Sequence, residues 1–144
     1  MLYPIVLTLH LFCAILFVGS VFFEVFVLPG VKTAMGDETM EHVEAAVFER
    51  ARRVMPFIVV ALFGTGLTLL TLNWQLVDLS APSRFTLALA VKVIAAFSVL
   101  GHFIYALTCA RRGGMSAAAS KRFHLSLIAH MTLIVVLAKV MFYI

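Results

Sequence analysis

The sequence predicts an all-α integral membrane protein built as a four-helix bundle, and three observations carry that expectation. Of its 144 residues, 63% are hydrophobic and 12% charged, with a mean hydropathy of +1.09, against roughly 45–50% apolar content in a soluble domain. The apolar residues gather into four runs, each close to the ~20 residues a helix needs to cross hydrocarbon. Charged residues, prolines and glycines stand between the runs. Four spans with their loops use nearly the whole chain, so residues 1–144 are expected to form a single domain.

The first span is expected over residues 4–28, ended by Pro29-Gly30, because proline and glycine together form a strong helix stop. It has no basic residue ahead of it and is longer than the usual ~7–15 residues of a signal-peptide core, so it reads as a mature helix. The second span covers about residues 54–74, with Pro56 in its first turn and Trp74 at the interface. Residues 37–53 before it place Met40, Val43, Val47 and Val54 at helical spacing, with Glu38, Glu41, Glu44 and Glu49 toward water. The second helix is therefore expected to extend into the cytoplasm. Pro82-Ser83 suits a helix start, so the third span is placed at 84–109, and the fourth at 123–143.

Lysine and arginine counts set the orientation. Lys32, Arg50, Arg52, Arg53, Arg111, Arg112, Lys121 and Arg122 lie in the first and third loops, whereas the second holds only Arg84. Basic loops stay in the cytoplasm, which places both termini outside and the chain as a multi-pass protein of the cell inner (plasma) membrane. These basic residues flank spans rather than forming an open face with interleaved aromatics, so no nucleic-acid partner is expected despite the net charge of +4. Cys13 and Cys109 have neither the number nor the spacing of a disulfide framework or zinc site. Gly64, Thr65, Gly66 and Thr68 reduce side-chain bulk in the second span, allowing a close helix neighbour.

Ionisable groups inside spans are costly, by about 2.5–3.5 kcal/mol for a charge at mid-helix on insertion scales. The chain holds His10, Glu24, Lys92, His102, His130 and Lys139 in such places. Counting depth at about 1.5 Å per residue puts His10 and Lys92 at one level near the outer side, and His102 and His130 at another near the inner side. Two imidazoles at one depth on facing helices can ligate haem iron from opposite faces, which makes His102 and His130 the pair best placed by counting. His10 and His102 differ by about 15 Å in depth, which disfavours one haem shared between them. Each histidine also has a plain reading as an interhelical hydrogen-bonding group. His42 and His124 read as solvated or interfacial, and Lys139 as snorkelling to the outer surface. Lys92 is too deep to snorkel and suits a carboxylate, from a haem propionate or a substrate. Arg52 and Arg53 serve equally as propionate holders or topology signals. Glu24 reads as their partner, a proton acceptor or a metal ligand.

Several short motifs resemble the HemJ family of membrane protoporphyrinogen oxidases and the related CopD-like membrane proteins. They are Leu9-His10-Leu11 with Phe17-Val18-Gly19, Arg53 leading to Thr65-Gly66-Leu67, and Lys92 ten residues before His102. The resemblance implies a four-helix homo-oligomer in the lipid bilayer that binds haem b, with His10 and Lys92 as its functional pair. It implies oxidation of protoporphyrinogen IX, with a porphyrin or quinone-type small molecule as partner. The fourth helix departs from the HemJ pattern, lacking the expected Asn-Glu and Pro and carrying His124 and His130 instead, which puts the porphyrinogen substrate in doubt more than haem. Three alternatives stay open: a small quinol-linked di-haem cytochrome b, CopD-like copper handling through His10, Cys13 and methionines such as Met131, and an accessory subunit whose polar residues only join helices.

Overall fold

The computed structural model describes residues 2–77, 83–114 and 117–143. The described residues form helices and connecting turns, in the order α1 (Leu2–Phe22), a π-helical turn (Phe23–Val27), α2 (Leu28–Met35), α3 (Asp37–Leu72), a 3-10 turn (Trp74–Leu76), α4 (Arg84–Arg111) and α5 (Ala117–Val140). Four helical stretches are long and apolar enough to cross a membrane, namely Leu2–Met35, Asp37–Leu72, Arg84–Arg111 and Ala119–Val140. Large apolar side chains such as Phe57, Val60, Ile94 and Leu125 face outward from the chain. Lipid tails solvate such groups where water would not.

The chain divides into two compact units, Met1–Leu72 and Asn73–Ile144. In the first, α1 and α2 pack against α3. The expected stop at Pro29-Gly30 does not occur, because the backbone absorbs the proline. Pro29 has no N–H, and in an α-helix its ring would press on the carbonyl four residues back, that of Val25. The π turn lies just there, with the Leu28 N–H donating to the Phe23 carbonyl. The helical path continues to Gly36, whose φ of +82° turns the chain into α3 at little cost because glycine has no Cβ. Lys32 and Asp37 form an ion pair across this turn at 3.3 Å. Met40 is fully buried, which accounts for the apolar stripe at the start of α3. α3 is one 36-residue helix with Pro56 in its interior, so the extension expected ahead of the second span is continuous with it.

In the second unit α4 and α5 run antiparallel. Phe85 meets Phe142, Ser98 meets His130, His102 meets Ser126 and Tyr105 meets Phe123. Ser83 caps α4, its hydroxyl oxygen accepting the Thr86 N–H at 3.1 Å. Pro82, the other half of the expected helix start, lies outside the described residues. α4 begins at Arg84, as the sequence suggests, while α5 begins at Ala117, a turn and a half before the apolar run. The sequence from 117 to 119 is three alanines, the residue with the highest helix propensity, which explains the earlier start.

Candidate imidazole site

The second unit brings Ser98, His102, Ser126 and His130 into one cluster. His102 Nδ1 lies 2.7 Å from the Ser98 carbonyl oxygen, and His130 Nδ1 lies 2.8 Å from that of Ser126. A carbonyl can only accept, so Nδ1 carries the proton on each ring. In the neutral imidazole, Nε2 then presents a lone pair. Ser126 Oγ is 3.0 Å from His102 Nε2, and Ser98 Oγ is 3.1 Å from His130 Nε2. Each hydroxyl therefore donates to the imidazole of the opposite helix. The arrangement is reciprocal: every serine accepts from the histidine four residues on through its carbonyl, and donates across the pair through its hydroxyl.

Helix geometry produces this arrangement from a short repeat in the sequence. A side chain on a helix leans back toward its N-terminus, so an imidazole reaches the carbonyl one turn earlier. Serine stands four residues before histidine three times, in Ser98/His102, Ser120/His124 and Ser126/His130. His124 shows the same bond, with Nδ1 donating to the Ser120 carbonyl at 2.8 Å. This serine spacing is the signal that a search for histidines alone passes over. Because α4 and α5 are antiparallel, two of the repeats meet head to tail, which is why the cross-helix bonds come as a matched pair.

The His102 and His130 rings lie 5.3 Å apart between centroids, inclined at 51°. They share a level, in agreement with depth counting, but they do not oppose one another across a gap. Two nitrogens bound to opposite sides of one ion would stand about 4 Å apart at ordinary metal–nitrogen distances of about 2.0–2.1 Å, with the ring centroids further apart still. The donor chemistry fits haem iron, since each Nε2 is an imidazole lone pair oriented by an Nδ1–H bond to a carbonyl. The ring spacing does not fit one macrocycle clamped between His102 and His130.

In the first unit, His10 of α1 packs against α3. Its Nδ1 is 3.1 Å from the Leu62 carbonyl oxygen and 3.0 Å from Thr65 Oγ1. Thr65 sends its own proton to the Ala61 carbonyl, leaving its oxygen to accept from the ring. His10 is thus fixed in the same Nδ1–H tautomer as the α4–α5 pair. Gly66 makes room for it: a Cβ there would stand 3.1 Å from His10 Cε1. Gly64 has no such neighbour, so of the two glycines Gly66 is the one at the interface. Cys13, one turn on from His10, is buried.

The remaining sequence candidates fall elsewhere. Lys92 is half-buried on α4 with no ion-pair partner among the described residues, and it belongs to the second unit whereas His10 belongs to the first. Arg52 and Arg53 are exposed on α3, and Arg53 pairs with Glu49 one turn earlier. Glu24 lies half-buried in the π turn. Among the described residues, no three His, Cys, Asp or Glu side chains come together closely enough to hold a metal ion. No protein-family model, no curated protein and no solved structure matches the chain.

Proposed function

We propose that this chain is a haem-b-binding oxidoreductase of the plasma membrane, with its basic loops in the cytoplasm and both termini outside. The observation that carries the reading is the crossed imidazole pair, two Nε2 atoms with no third His, Cys, Asp or Glu beside them among the described residues. A bare transition-metal ion asks for about four protein ligands, whereas haem brings its four equatorial nitrogens and asks the protein for one or two. A site of two imidazoles answers the second requirement. His102 or His130 would hold the group through its Nε2, and His10 is a further imidazole of the same tautomer in the first unit. Haem, when bound, supplies one-electron chemistry between a porphyrin or quinol-type donor and a quinone-type acceptor.

The protein's own contribution is orientation and charge. The Nδ1–H bonds to helix carbonyls hold each ring in one tautomer and one orientation. Lys92 offers a cation to a carboxylate of haem or substrate from inside a span, where it has no described counter-ion. Arg52 and Arg53 offer the same at the cytoplasmic boundary. The HemJ resemblance adds protoporphyrinogen oxidation in a homo-oligomer to this reading, with the small di-haem cytochrome as its alternative. Copper handling has less behind it, since His10 and Cys13 would need further ligands.

A second reading has its own observation. Each Nε2 already accepts from a serine, and no buried polar side-chain atom among the described residues lacks a partner, which is what a purely structural clamp between α4 and α5 would require. Haem content separates the two. Protein purified in mild detergent from haem-replete cells is expected to show a Soret band and sharp reduced α and β bands, with pyridine-haemochrome content falling in His102→Ala or His130→Ala. Colourless protein with unchanged helix content would leave the clamp.

A further inference from the structure

The two serines stand where a ligand of either imidazole would have to bind. Ser126 Oγ occupies the lone pair of His102 at 3.0 Å, and Ser98 Oγ that of His130 at 3.1 Å. A nitrogen lone pair serves one strong partner at a time, so any electrophile or metal at Nε2 must first displace a hydroxyl. We propose that Ser98 and Ser126 are latches: each controls access to the imidazole of the opposite helix, and together they set how readily the pair accepts a ligand. The latch stands on the hydrogen-bond geometry alone, and its role in admitting haem rests on the function proposed above.

The crossed wiring makes the inference specific. Ser98 shares α4 with His102, and its carbonyl accepts the His102 Nδ1–H, yet its hydroxyl serves His130. Removing that hydroxyl leaves the backbone carbonyl in place, so His102 keeps its tautomer while His130 loses the partner of its Nε2. Ser126→Ala does the converse. General loosening of the α4–α5 contact would expose both rings alike. The latch predicts that each substitution acts on the histidine of the other helix.

Diethyl pyrocarbonate, which acylates unprotonated imidazole nitrogen, reads this directly in the full chain in detergent micelles, with modification rates followed by peptide mass spectrometry. His42 and His124 serve as internal references. Ser98→Ala is expected to speed modification of His130 about threefold, the equivalent of one average hydrogen bond within a membrane protein, and to leave His102 unchanged. Ser126→Ala should speed His102 and leave His130 unchanged. Threonine at either position keeps a hydroxyl and restores the slow rate. If an alanine variant fails to fold, cysteine, a weak donor, is expected to give the same crossed pattern at smaller size. Equal acceleration of both histidines, or none, overturns the latch. Titration with ferric protoporphyrin IX then separates the two claims. Crossed rates without haem binding keep the latch and remove the haem reading. Haem binding with uncrossed rates keeps the haem reading and removes the latch. With both claims correct, affinity rises about threefold on loss of either serine.

Discussion

The packing of His10 on Gly66 makes a quantitative prediction about the α1–α3 contact. A Cβ at residue 66 would lie 3.1 Å from His10 Cε1, while carbon atoms in contact prefer about 3.5–4.0 Å. The ring must retreat by about 0.4 Å or more, which would stretch its bonds of 3.0 and 3.1 Å to Thr65 and Leu62 beyond the ordinary range of about 2.7–3.2 Å. Gly66→Ala therefore sets a gain of about 1 kcal/mol in helix propensity against two weakened bonds worth about 0.6 kcal/mol each within a membrane. The expected change is within about 0.5 kcal/mol of zero. Gly66→Val adds bulk that the ring cannot evade, and overpacking of about 1–3 kcal/mol joins the lost bonds for a total of about 2–4 kcal/mol. Gly64→Ala meets nothing within 4 Å and is expected to be neutral or stabilising by up to about 1 kcal/mol. The buried Cys13 provides the assay. In a Cys109→Ser background, a thiol-reactive fluorophore reports thermal opening of this unit. A Gly66→Val protein that opens no earlier than Gly64→Ala would refute the packing of His10 on Gly66.

Three further outcomes follow from the first unit. Gly36→Ala places a Cβ at a φ of +82° and a ψ of 162°, a region essentially reserved for glycine, and is expected to cost about 1–3 kcal/mol, read as earlier proteolysis between α2 and α3. Pro29→Ala restores the missing N–H, so the π turn is expected to revert to α-helix; a changed maleimide reactivity of Glu24→Cys would register the rotation, and an unchanged one would show that the turn has another cause. The exposed Glu49–Arg53 pair is a weak contributor, and Glu49→Gln should shift thermal stability by less than about 0.5 kcal/mol.

Much of the architecture is legible in the sequence because a membrane span is a matter of composition and length. The four apolar runs identify four helices, and the amphipathic stripe at Met40, Val43 and Val47 identifies the forward extension of α3. Pro29-Gly30 misleads because a stop signal describes an α-helix, and a single wider turn removes the clash that makes proline a stop. At the site, counting residues gives depth but not direction around the helix. Depth brings His102 and His130 to one level. It does not show that their Nε2 atoms turn toward serines rather than toward a shared iron. That follows from serine four residues before each of these two histidines, which in an antiparallel pair sets each hydroxyl beside the imidazole of the other helix, a relation invisible to a reading made histidine by histidine. Gly64 and Gly66 differ in the same way: both are small, and only the one facing α1 meets His10.

The tautomer and partners of the two imidazoles are observed directly by nitrogen-15 NMR of histidine-labelled protein in lipid nanodiscs. The crossed arrangement predicts a protonated Nδ1 and an unprotonated, hydrogen-bonded Nε2 on both His102 and His130, with the Nε2 resonance of His102 moving in Ser126→Ala and that of His130 in Ser98→Ala. A proton on Nε2 of either ring, or resonances indifferent to the serine on the opposite helix, would contradict it.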